Sequence, residues 1–109
     1  METETEIFKV LSDATRLRLA VLLATKGETC VCQLAQSLDE PEYKISRHLG
    51  IMKKANMLQS RRDGTWIYYR LTETPGKLEQ CLHDCFKSCF KNHPTTKTDI
   101  KRLINSHCK

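Results

Sequence analysis

Thr29-Cys-Val-Cys-Gln-Leu-Ala-Gln-Ser-Leu-Asp-Glu-Pro-Glu-Tyr-Lys-Ile-Ser-Arg-His-Leu49 reads as two short helices joined by a tight polar turn. Val31, Leu34, Ala35 and Leu38 recur at helical spacing, Asp39-Glu40-Pro41 interrupts them, and Ile45, Leu49 and Met52 resume the pattern. Pro41 suits the first turn of the second helix, where its missing N–H costs nothing. Tyr43, Lys44, Ser46, Arg47 and His48 are left mostly outward. A basic, hydroxyl-bearing helix after a short turn is the helix-turn-helix pattern for the DNA major groove. At the other end of the stretch, Cys30 and Cys32 stand at the start of the first helix. A DNA reader and a pair of thiols therefore share one unit.

Working outward, Ile7, Val10 and Leu11 predict a short amphipathic helix ending near Ser12. Asp13 is placed to cap a second helix, apolar at Leu17, Leu19, Ala20, Leu22 and Leu23 and ended by Gly27. That helix is apolar nearly all round and is expected to run through the core. Thr29 is placed to cap the helix with the thiol pair. Asn56 reads as a stop. Leu58 to Leu71 then reads as a β-hairpin around Asp63-Gly64, a two-residue turn whose central positions both need positive φ. Alternation puts Ile67, Tyr69 and Leu71 on one face and Trp66, Tyr68 and Arg70 on the other. Arg61 and Arg62 at the tip make a wing suited to the DNA backbone or minor groove. After a break at Thr74-Pro75-Gly76, Leu78, Cys81, Leu82, Cys85, Phe86, Cys89 and Phe90 keep i, i+3, i+4 spacing and predict an amphipathic helix. Asn92-His93-Pro94 ends it, and a last helix with Ile100, Leu103 and Ile104 runs to Cys108.

The 109 residues make one small domain, residues 1–109, mainly α with a β-hairpin wing. The net charge of +5 is unevenly spread. Residues 1–40 carry four basic and seven acidic side chains, residues 41–71 seven and two, and residues 72–109 seven and four. Positive charge clustered on the helix-turn-helix and wing is the footprint of phosphate binding. The longest apolar run, Leu19 to Ala24, is far too short for a membrane span. No hydrophobic export segment follows the acidic Met-Glu-Thr-Glu-Thr-Glu start, so a cytoplasmic protein is expected. Six cysteines in such a chain argue against a disulfide framework and for reduced thiols that bind soft metals or sense redox state.

With these elements in order, the sequence resembles the ArsR/SmtB family of winged-helix metal-sensing repressors. The likeness runs from about Ile7 to Leu71 and includes Leu11-Ser-Asp-Ala-Thr-Arg-Leu17, the Cys-Val-Cys box, Lys44-Ile-Ser-Arg-His-Leu49 and Gly64-Thr-Trp-Ile-Tyr-Tyr-Arg-Leu71. It is closest to the arsenite-responsive branch, whose box reads Glu-Leu-Cys-Val-Cys-Asp-Leu-Cys. Here the box is Glu28-Thr-Cys-Val-Cys-Gln-Leu-Ala35, so the first two thiols carry over to Cys30 and Cys32 and the third position is Ala35. The resemblance implies a winged helix-turn-helix homodimer that sits on double-stranded operator DNA until an inducer releases it. The helices of about 75–108 would serve dimerisation. It also implies trivalent arsenic or antimony as inducer and no catalytic cofactor.

Trivalent arsenic and antimony are thiophilic and take a pyramidal three-thiolate site. In a regular helix, residues two apart point about 200° away from each other. Cys30 and Cys32, at the start of the first helix, could not grip one ion in that state, so binding is expected to require the first turn to unwind or bend. Cys81, Cys85 and Cys89 pack an interface or donate further thiolates, and Cys108 is another candidate ligand. One straight helix cannot bring all three to one ion, because the outer two lie about 12 Å apart along the axis. His83, Asp84, His93 and His107 do not rebuild the sites with which some family members bind zinc, nickel or cobalt. The competing readings on the same fold are a thiol-based redox or sulfide sensor and a cadmium- or lead-responsive repressor. A thiol enzyme is disfavoured, since no Cys-x-x-Cys is present and no anion-cradling loop flanks a nucleophile.

Overall fold

A computed structural model describes residues 1–73 and 76–108. In chain order they form α1 (Glu2–Leu11), α2 (Ala14–Lys26), β1 (Thr29–Cys30), α3 (Val31–Leu38), α4 (Glu42–Lys54), β2 (Leu58–Asp63), β3 (Trp66–Leu71), α5 (Lys77–Ser88) and α6 (Pro94–Ile104). The sheet is antiparallel in the order β1-β3-β2. This is a winged helix-turn-helix, mainly α with a hairpin wing. Thr74 and Pro75, two of the three residues of the expected chain break, lie outside the described residues.

The apolar helix is the centre of the molecule, as its composition demands: Leu19 to Ala24 are all buried. Asp13 caps it, accepting a hydrogen bond from the Arg16 backbone N–H at 3.1 Å, and Gly27 ends it at a φ of 78°. α2 packs against α4, α5 and α6. Leu34, Ile45, Leu49 and Met52 close the core from the helix-turn-helix side. Each helix of that motif stops at a left-handed residue, Asp39 after α3 and Asn56 after α4. The N–H groups of Glu40 and Met57 then reach back to the carbonyls of Ala35 and Met52. These are Schellman-type stops, which satisfy the orphan carbonyls and fix the angle at which the chain leaves.

Four expectations need correction. Thr29 does not cap α3; it lies in β1 opposite Tyr69, and its hydroxyl donates to the Gly27 carbonyl at 2.9 Å. The N-cap is Cys30, paired with Tyr68 in extended backbone (φ −80°, ψ 155°). The hairpin turn is shifted by one residue. Asp63 pairs with Trp66, so Gly64 and Thr65 are the central pair, and of these only Gly64 has positive φ. Glycine at the first central position is what a type II′ turn requires.

The α5 stripe divides into two rows. Leu78, Leu82, Phe86 and Phe90 face the core of the same chain, whereas Cys81 and Cys89 are exposed and Cys85 half-buried. Finally, the cysteines are not all reduced: Cys32 and Cys108 form a disulfide across 76 residues.

α6 is fastened firmly. Asp99 is buried, takes two hydrogen bonds from the Arg18 guanidinium at 2.7 and 3.0 Å, and offers its backbone carbonyl to the Ser37 hydroxyl at 2.6 Å. Breaking one partner of a buried ion pair costs about 3–5 kcal/mol, because the other charge is stranded. The hydrogen bonds that Arg18 donates to Asp99 also raise its pKa and keep it charged. No described helix is long and apolar enough to cross a membrane.

Candidate DNA-binding surface and thiol site

α4 presents Tyr43, Ser46, Arg47, Gly50 and Ile51 to solvent, with Tyr43 77% exposed. Lys44 is half-buried and pairs with Glu40 at 3.1 Å, one turn back across the motif's bend. Lys53 and Lys54 extend the basic face, and Lys53 donates to the Ser60 hydroxyl on β2 at 2.8 Å, joining α4 to the wing. Neither lysine is singled out by the motif pattern. Their place in the last turn of a helix aimed at the hairpin was the available signal.

On the wing, Arg61 and Arg62 lie on β2 rather than at the turn, opposite Tyr68 and Ile67. Arg61 is committed within the protein. It pairs with Glu28 at 2.7 Å and stacks 4.4 Å over the Tyr68 ring. Arg62 is exposed, and among the described residues no carboxylate pairs with Arg62, Arg47, Lys53 or Lys54. These are cations whose approach to phosphate breaks no existing ion pair.

His48 departs from the outward position expected of it. It is only 6% exposed, wedged between α4 and the start of α2, with Nδ1 3.2 Å from the Arg16 guanidinium. Arg16 also donates to the Val10 carbonyl at 2.7 Å, so one side chain ties α1, α2 and α4 together. Burial, reinforced by the charges of Arg16, Arg47 and Lys44, lowers the His48 pKa against the opposing pull of Asp13. The imidazole is therefore neutral at pH 7 and accepts at Nδ1. Asp13 is itself held below the ordinary carboxylate value. Desolvation opposes this, but the backbone N–H groups of Arg16 and Thr15 and the Arg16 charge outweigh it.

The thiols sit at the other end of α3. Cys30 is buried and its Sγ lies 3.4 Å from Gln33 Oε1. Because Cys30 precedes the helix, only Cys32 is bound by helical geometry, and the 200° opposition expected of the pair does not arise. Gln36, one turn beyond Cys32, grips the C-terminal tail with both ends of its amide. Nε2 donates to the His107 carbonyl at 2.7 Å, and Oε1 accepts from the His107 N–H at 2.8 Å. Its Nε2 also lies 3.4 and 3.5 Å from the sulfurs of Cys32 and Cys108. An open groove beside Cys32 is lined by Ala35, Gln36, Asp39, Glu40, Pro41 and Glu42 and leads straight to the α3–α4 turn. Among the described residues, no three His, Cys, Asp or Glu side chains converge as a ready metal site. An ion that needs three sulfurs must draw them together.

Cys85 stands one turn before Cys89 at the end of α5, and the neighbouring thiol, with some burial, raises the Cys85 thiol pKa.

The model of the arsR family of bacterial regulatory proteins matches residues 13–60. An arsenic resistance transcriptional regulator of Pseudomonas putida is 46% identical over 83 residues, covering 75% of this chain and 72% of that protein. The arsenical resistance operon repressor of Escherichia coli is 45% identical over 67 residues, 62% of this chain and 57% of that protein. The chain thus spans less than two thirds of the Escherichia coli repressor. Among solved structures, the transcriptional repressor BigR from Xylella fastidiosa has a TM-score of 0.67 at 29% identity, covering 81% of this chain and 85% of that one. The homodimeric winged helix-turn-helix domain of a Mycobacterium bovis protein has 0.65 at 22% identity, with 85% and 82% covered, a likeness of fold alone.

Proposed function

The chain belongs to the arsR family of bacterial regulatory proteins and is a winged helix-turn-helix transcriptional regulator, and from that premise we propose that it represses a metalloid-resistance operon and leaves its operator on binding trivalent arsenic or antimony. The observation that carries this reading is the position of Cys30 and Cys32. They lie at the strand-to-helix junction from which α3 runs into the motif's turn and α4. α3 and α4 share a core through Leu34, Leu38, Ile45 and Leu49, and close-packed helices transmit a shift rather than absorb it. Drawing thiolates together at the start of α3 therefore moves the base on which α4 stands. Tyr43, Lys44, Ser46 and Arg47, with Arg62 and the braced Arg61, make up the DNA face, and His48 acts from behind it by holding α4 to α2.

The groove beside Cys32 also suits this inducer. Its carboxylates, Asp39, Glu40 and Glu42, repel anions. Arsenous acid is uncharged near neutral pH and enters without that penalty, whereas arsenate is turned away. Its soft trivalent centre exchanges oxygen for thiolate ligands.

The test is an arsenite titration of the reduced protein bound to DNA from its own promoter. Cys30→Ser and Cys32→Ser are each expected to keep the wild-type operator affinity and lose release by arsenite. If the double variant leaves DNA at the wild-type arsenite concentration, the assignment is wrong. A second reading, a redox-sensing repressor, draws support from the Cys32–Cys108 disulfide. Under that reading peroxide alone releases the wild-type protein, and arsenite does not release the reduced one.

A further inference from the structure

We propose that Cys108 supplies the third thiolate, so that the trivalent metalloid is held between α3 and the C-terminal tail by Cys30, Cys32 and Cys108. This rests on the metalloid reading above and deepens it. Trivalent arsenic wants three sulfurs, and the start of α3 offers two. The position where a third thiol stands in the box that this sequence resembles is Ala35, whose side chain is buried in the core. The fold brings another sulfur to the same place. Cys108 lies in bonding contact with Cys32, with their Cα atoms 6.2 Å apart.

The contact is prepared from two sides. α6 is locked onto α2 and α3 through Asp99, Arg18 and Ser37, so the tail starts from a fixed point four residues before Cys108. The Gln36 amide then pins the His107 backbone at two atoms, immediately next to Cys108. Ordering the tail beforehand removes an entropic cost that a free tail would bring to ligation.

Ligation starts from the reduced protein and moves no electrons. Three As–O bonds of As(OH)3 break and three As–S bonds form. Each thiol proton leaves with a hydroxide, giving three water molecules. The disulfide form has neither a Cys32 nor a Cys108 thiol to offer. It must first take two electrons and two protons from a dithiol reductant, so oxidation and induction compete for the same two sulfurs. Gln36 is a positioning residue here, acting on the metalloid through the tail.

The experiment uses full-length protein reduced with a phosphine, so that no added thiol can complete the site. Sodium arsenite is titrated into wild type, Cys108→Ser and Gln36→Ala, and the arsenic coordination is read by X-ray absorption. Wild type is expected to show three sulfurs. Cys108→Ser should show two sulfurs and one oxygen, with arsenite affinity reduced roughly tenfold or more and operator affinity unchanged. Gln36→Ala should keep three sulfurs and lose affinity, which separates positioning from ligation. If Cys108→Ser retains three sulfurs at wild-type affinity, this inference is overturned while the metalloid reading stands. If the folded, DNA-binding wild type takes up no arsenic, the metalloid reading itself is overturned and this assignment with it.

Discussion

His48 accepts at Nδ1 from Arg16 only while the imidazole is neutral. Once protonated, it turns a donor towards a guanidinium in a space that is almost closed to water. Its folded pKa lies below the ordinary 6.5, so the unfolded chain binds the proton first as pH falls. Stability from this group is complete above 6.5 and is lost as pH drops through the lowered folded value. His83 on α5 is likewise held down by burial and contributes in the same direction. His48→Gln, whose amide oxygen still accepts from Arg16, should therefore show a smaller fall in Tm on acidification below 6.5 than wild type. Equal pH slopes in the two proteins would show that His48 does not carry the effect. The inward position of His48 was legible in the sequence. Ile45, His48, Leu49 and Met52 form an unbroken i, i+3, i+4, i+7 set, and this spacing outweighs the polar chemistry of the ring, which points to surface. Cys108 offered no such signal. Its contact with Cys32 spans 76 residues, and no local periodicity encodes a pairing of that kind.

At the scale of elements, the helices were the legible part, because each carries its own period and its own stop: Asp13 and Gly27 on α2, Asn56 after α4. β1 was not legible. A strand of two residues has no alternation to read, and it exists only because Tyr68 and Tyr69 of the returning wing supply its partners. The division of α5 into two rows was within reach of the spacing. The leucine and phenylalanine row and the cysteine row are offset by one residue, about 100° round the helix, and the bulkier row is the one packed on the core. Lys53 and Ser60 join α4 to the wing, so the two are expected to meet DNA as one unit. Arg47 stands in the middle of the exposed face of α4, and no carboxylate among the described residues neutralises it. Arg47→Ala should weaken operator binding and reduce the slope of log affinity against log salt by roughly one phosphate contact, about 0.9. Unchanged affinity and slope in an anisotropy series would take this helix out of the interface. Arg61→Ala is expected to act differently, since Arg61 braces Glu28 and Tyr68. Its loss should loosen the wing.

At the scale of the whole molecule, tight binding depends on how many copies meet the DNA. One chain presents a single α4 and a single wing, a face whose cations without an ion pair among the described residues are Arg47, Lys53, Lys54 and Arg62. A few phosphate contacts of that kind give salt-sensitive, weakly selective binding, and specificity grows when a second copy reads a second half-site. The inner row of α5 cannot be what demands a partner, since Leu82 and Phe86 are already satisfied by the core of their own chain. Outer surface away from the DNA face includes Phe8 on α1 at 54% exposure, Ile104 on α6 at 70% and the thiol row of α5. We therefore expect a homodimer in solution, with two α4 helices entering successive turns of the major groove about 34 Å apart or a small multiple of that. Light scattering at micromolar concentration should give twice the chain mass. Inserting half a helical turn between the operator half-sites should abolish tight binding, because it places the second half-site on the opposite face of the duplex. A monomer by scattering, together with affinity that ignores the insertion, would mean that one copy reads the operator alone, and the two-fold arrangement would have to be abandoned.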